Sequence, residues 1–110
     1  MTTVFEVRSS VCGNKTTIVV EKKDRARMTI SLETSCSKLK AYSERIKELD
    51  FKEIGKGFTQ NPIYVHAVSS HITPNCLVPC GVVMAAWAEF EMMSKNLLRQ
   101  VEPQSIIFTK

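Results

Sequence analysis

The chain has 110 residues, 44% of them hydrophobic and 24% charged. That composition suits one domain over residues 1–110. It excludes a chain too polar to bury a core, and at this length neither a metal nor disulfides are needed merely to fold. The net charge of +4 favours solubility. With no recognition motif and no aromatics interleaved with the basic run "EKKDRAR", it does not point to nucleic acid as a partner.

"VFEVRSSV" (4–11) alternates and predicts a strand, and "CGNK" (12–15) supplies the turn after it. "TTIVVEKKDRARMTISLE" (16–33) predicts a hairpin. Ile18, Val20, Met28, Ile30 and Leu32 share one face, while Thr29, Ser31 and Glu33 face water. A helix is expected over 34–51, capped by Thr34 or Ser35, with Leu39, Tyr42, Ile46 and Leu49 inward. "KEIGKGFTQ" (52–60) reads as a loop, and Asn61-Pro62 opens a short helix that "ITPN" ends.

From Val78 the spacing predicts one long helix with an apolar stripe of Val83, Ala86, Trp87, Phe90, Met93 and Leu97. These are read as core residues rather than a cofactor box. "EPQ" stops the helix and "SIIFTK" (105–110) is expected as a final strand. The order β-β-β-α-α-α-β predicts an α+β fold, a small antiparallel or mixed sheet with about three helices on one face.

No run reaches the roughly 20 apolar residues of a membrane span, and "MTTVFEVRSSVCG" lacks the apolar centre of a signal peptide, so a cytoplasmic protein is expected. In a reducing compartment its four cysteines read as metal ligands, redox thiols or core residues before disulfides.

The hairpin brings two of these cysteines together. A loop of Lys23, Asp24 and Arg25 pairs Val20 with Met28 and Ile18 with Ile30, and that register, extended, sets Cys12 opposite Cys36. Opposed residues have Cα atoms about 5 Å apart, so proximity of the two thiols, enough to share a metal or form a disulfide, is the expectation, and exact pairing is not. Cys36 and Cys80 each open a helix, where the positive end of the dipole favours thiolate.

Cys12-Gly13, the "TSC" of Cys36, Asn61-Pro62 with Tyr64, and His71 with Cys76, Val78 and Pro79 together resemble a domain-of-unknown-function family of small cysteine-containing proteins from methanogens and other anaerobes. The resemblance spans most of the chain. It implies Cys12, Cys36 and Cys76 in one constellation, with no established activity to carry over. The chain departs from that pattern at Cys80, where a small residue is expected, and in its Trp- and Met-rich last helix. The fourth ligand stays open among Cys80, His71, His66 and an exogenous molecule.

The leading expectation is therefore a zinc ion or iron–sulfur cluster held by Cys12, Cys36, Cys76 and Cys80, with His71 as substitute. The spacing C-x23-C-x39-C-x3-C lacks the paired knuckles of a zinc ribbon. Two alternatives stand beside it: thiol redox or nucleophilic chemistry at Cys36 or Cys80, and an interaction or structural module with buried free cysteines that meets a protein partner or a second copy. No phosphate loop, HExxH or nucleophile elbow is present.

Overall fold

The alternating residues at the start of the chain form β1 (Thr2–Ser9) and β2 (Asn14–Lys22), and β3 (Arg27–Glu33) completes the hairpin. The computed structural model describes residues 2–110. After β3 come α1 (Ser37–Arg45), β4 (Glu48–Asp50), α2 (Phe51–Ile54), α3 (Pro62–Ser69), α4 (Val78–Glu89) and α5 (Lys95–Gln100). The four strands form one antiparallel sheet in the order β1-β2-β3-β4. The fold is α+β.

Period two gives the sheet a covered face and a wet face. Ile18, Val20, Met28 and Ile30 are buried with Leu39, Tyr42 and Ile46 from α1 and its end, Ile63 from α3, and Val82, Ala85 and Ala86 from α4. Val4, Glu6 and Arg8 of β1 and Ser31 and Glu33 of β3 face outward and are exposed.

The hairpin register differs from the sequence expectation by two residues. Val20 pairs with Ile30, Ile18 with Leu32 and Lys22 with Met28. The turn chemistry explains the shift. Asp24 Oδ1 accepts hydrogen bonds from the backbone N–H groups of Ala26 (2.8 Å) and Arg27 (2.9 Å), an Asx turn that makes Asp24 the first loop residue. A shift of two keeps every side chain on its expected face.

Three further boundaries move. The expected helix over 34–51 stops at Arg45, with Cys36 rather than Thr34 or Ser35 as N-cap, because residues 48–50 add to β3 as β4 and set Leu49 against Met28. The expected loop at 52–60 begins within α2, where the Asp50 carboxylate accepts from Lys52 N–H at 2.8 Å. The long last helix is two helices. Glu91 adopts φ 62° and Met92 N–H reaches back to Trp87 O at 2.8 Å, a left-handed closure of the kind that ends helices. Accordingly Leu97, expected in the apolar stripe, lies exposed on α5, whereas Ala86, Trp87 and Phe90 do meet the core. Residues 105–110 form no strand, since among the described residues no strand pairs with them.

Asn61 ties the helical layer together. It is 2% exposed; its Oδ1 caps α3 by accepting from Ile63 N–H (3.0 Å), and its Nδ2 donates to Ile54 O (3.1 Å) and Lys56 O (3.0 Å). Trp87 Nε1 donates to the same Ile54 carbonyl at 2.8 Å. Asn61→Ala removes the cap and leaves the buried Ile63 N–H unpaired, while Ile54 O keeps only Trp87, an expected loss of about 2 kcal/mol. Urea unfolding of the variant would read it as a lower midpoint at unchanged slope.

Candidate functional site

The position of α4 on the sheet decides where the thiols go. A Cβ at Gly81 would lie 2.8 Å from Val7 Cγ2 and 2.9 Å from Ile18 Cδ1, so the start of the helix rests directly on β1 and β2. At its other end Glu89 bonds Thr3 and Lys22. Val7 pairs with Thr16, and Thr2 with Glu21. The helix therefore runs from the β1–β2 turn toward the opposite end of the sheet, and its N-terminus, with Cys76 and Cys80, lies at the turn end. Cys12 is in that turn, and Cys36, three residues beyond the last residue of β3, is at the same end.

Each thiol has its own surroundings there. Cys12 is exposed in the turn 10–13, closed by Gly13 at φ +71°, a conformation that glycine adopts without penalty. Hydrogen bonding from the Ser9 side chain, and then from the Asn14 backbone, holds its thiol below the ordinary cysteine value and favours thiolate. Cys36 is half-buried against the core; its N–H donates to Thr34 Oγ1 (3.2 Å), which also accepts from Thr16 Oγ1 (3.0 Å). Cys76 is half-buried against the same core, with its N–H bonded to Thr73 O at 3.0 Å. Cys80 is exposed beside the Tyr64 hydroxyl.

Two tyrosines line this end of the helical layer. Tyr42 is fully buried and donates to Ile63 O at 2.7 Å. Burial raises its phenol far above the ordinary value, with the nearby Tyr64 and Cys76 adding to the effect. Burial raises Tyr64 too, reinforced by Cys80. Both phenols stay protonated at neutral pH, so neither is a base for thiol chemistry.

The expected opposition of Cys12 and Cys36 is not what the register gives. The ladder carries Asn14 to that position, and Ser35 Oγ donates to Asn14 Oδ1 at 2.8 Å. The chain leaves β2 at Asn14 and turns back toward Ser9, which takes Cys12 off the ladder. Among the described residues no three His, Cys, Asp or Glu side chains are grouped so as to hold a metal ion. The expected cysteine cluster is thus absent from this conformation, although all four thiols share one end of the molecule. His71, exposed at φ 59°, closes α3: Ile72 N–H bonds Ala67 O at 3.0 Å, which gives the residue a structural task. His66 is half-buried on α3.

Cys80 also lines an open groove of about 780 Å³ between β1, α4, α5 and the C-terminal segment. Sequence reasoning missed Glu89, which is 1% exposed. Its place between Ala88 and Phe90, inside the apolar run of the helix, was the available signal.

An α+β domain with free thiols gathered at one end of its sheet is the class these features define. The chain belongs to a family of unknown function, DUF6951, whose model matches residues 3–101. That match speaks to family and lends no support to an origin in methanogens. No curated protein and no solved structure matches the chain. Among the described residues no helix is long and apolar enough to cross a membrane.

Proposed function

We propose that this protein binds a zinc ion or an iron–sulfur cluster through thiolates at the β1–β2 turn end of its sheet. Cys12, Cys36 and Cys76 are the core donors, and Cys80 or His71 completes the set. The carrying observation is the seating of α4: Gly81 against Val7 and Ile18 fixes its N-terminus, and with it Cys76 and Cys80, over the end of the sheet that also bears Cys12 and Cys36. Thiolates are the donors that suit zinc and iron–sulfur chemistry, and Cys12 is already biased toward that form.

Binding on this reading requires a local rearrangement. Cys12 sits in an exposed turn, so it can move without disturbing a strand or helix, while Cys36 and Cys76 stay packed on the core and Cys80 stays on α4. Metal binding then rigidifies that end of the domain and stabilises the fold by linkage. A reducing, cytoplasmic setting is part of the proposal, since it keeps the thiols free.

Anaerobic purification followed by zinc, iron and sulfide analysis tests it. One zinc per chain, or iron with matching sulfide and a visible charge-transfer band, is expected, and Cys36→Ser is expected to lose it. Metal-free protein from zinc- and iron-supplemented anaerobic growth would overturn the reading.

A further inference from the structure

β1 is an edge strand with features that edges usually avoid. It pairs with β2 on one side and, among the described residues, with no strand on the other. Its eight residues Thr2–Ser9 contain no proline and no lysine, and on the outer face Val4 is exposed, followed by Glu6 and Arg8, whose charges pair with each other at 2.7 Å. A long regular edge of this kind is a template for another strand.

The same chain carries a segment suited to fill it. Ser105–Lys110, "SIIFTK", is rich in strand-forming residues, yet it forms no secondary structure and leaves Ile106 84%, Ile107 74% and Phe108 90% exposed. Consecutive apolar residues exposed to this degree are a liability unless a partner covers them.

Residues 101–106 form one wall of the groove whose other wall is β1, and Leu77, Met84 and Leu98 make its lining apolar. The chain's own tail thus lines the groove and leaves it open. Pro103, with fixed φ and no N–H, keeps the connection to α5 extended.

We infer that the occupant of the β1 edge is the C-terminal segment of a second copy of this chain, exchanged reciprocally to form a two-fold dimer. Each copy then donates one strand and accepts one, so both open edges and both exposed tails are covered at once, and the assembly closes. The alternation fits the arrangement. Ile106 and Phe108 fall on one face of the added strand, toward the apolar groove, and Ile107 on the other, beside Val4. This inference is independent of the thiol site.

Sedimentation equilibrium of the full chain over a wide concentration range, with hydrogen exchange of the tail amides, tests it against Ile107→Pro. That substitution lies in an exposed segment and removes a strand-pairing N–H without touching the core. A dimer with protected tail amides is expected, reduced to monomer in Ile107→Pro at the same concentration with the helical circular dichroism retained. Three results would overturn the inference: a monomer with unprotected tails, a monomer whose protected tail shows docking on its own β1, or a dimer that survives Ile107→Pro and so uses another surface.

Discussion

Glu89→Ala is expected to cost about 3 to 4 kcal/mol, among the largest losses from a single side chain in this protein. The carboxylate is 1% exposed. It accepts from Thr3 Oγ1 at 2.7 Å, Lys22 N–H at 2.9 Å and Lys95 Nζ at 3.2 Å, joining β1, β2 and α5 to the end of α4. Removing it leaves the Thr3 hydroxyl and the Lys22 N–H without this partner and the Lys95 ammonium with only the Thr2 carbonyl at 3.4 Å. Lys95 is partly exposed and recovers some hydration, which keeps the loss toward the lower end for a broken buried pair. For a domain of this size that loss lowers Tm by roughly 10 to 20 °C.

The same carboxylate sets an acid limit. Burial alone would raise its pKa, but the Thr3 hydroxyl, the Lys22 N–H and Lys95 outweigh burial and hold it below the ordinary value of 4.5. A carboxyl depressed in the folded state contributes stability above its unfolded pKa and loses it as pH falls through the folded one. Wild-type stability should therefore decline below about pH 4.5. Glu89→Gln, with no charge to titrate, should be less stable at neutral pH and show a shallower acid slope. Denaturant titrations at stepped pH would check both.

Gly81→Val is the second large effect, an expected loss of about 3 kcal/mol. Alanine at the same site is the informative control. In a helix interior it should gain about 1 kcal/mol over glycine, but its Cβ meets Val7 Cγ2 at 2.8 Å and Ile18 Cδ1 at 2.9 Å. Ile18 Cδ1 is the free end of a flexible chain and can swing away. Val7 is stiff at χ1 and cannot do so cheaply, so overpacking outweighs propensity and Gly81→Ala should lose about 1 kcal/mol net. Valine adds two methyl groups to the same contact and lifts α4 off the sheet. Thermal unfolding should rank wild type above Ala above Val, and the displaced Cys76 and Cys80 should lower bound metal in the same order.

Much of the sheet was legible in the sequence because period two is a local signal. The faces of β2 and β3 follow from Ile18, Val20, Met28 and Ile30 alone. Their register was not legible to the residue, since it depended on Asp24 capping the turn with its own carboxylate. β4 was hidden because Glu48–Asp50 is too short to show a period and becomes a strand only by meeting the free side of β3. The break after Glu89 was hidden for a different reason: it rests on a left-handed Glu91, where glycine or asparagine would have been the readable signal.

The placement of the cysteines at element ends was legible, and their arrangement relative to one another was not. Cys36, Cys76 and Cys80 could be assigned to element ends from their caps and prolines, but the direction of α4 across the sheet depends on how Gly81 meets Val7 and Ile18, a tertiary contact. Exact opposition of Cys12 and Cys36 is lost because the ladder cannot be extended past Asn14, where the chain turns back, while both cysteines stay at the same end of the sheet.

Shared metal binding by the thiols at one end of the sheet has a direct readout in cobalt(II) titration of the reduced, metal-free full chain. Saturation at one cobalt per chain with intense thiolate-to-cobalt charge-transfer absorption is expected, lost in Cys36→Ser and in Cys76→Ser. Reduced protein with four titratable thiols that develops no charge-transfer band at stoichiometric cobalt would contradict it.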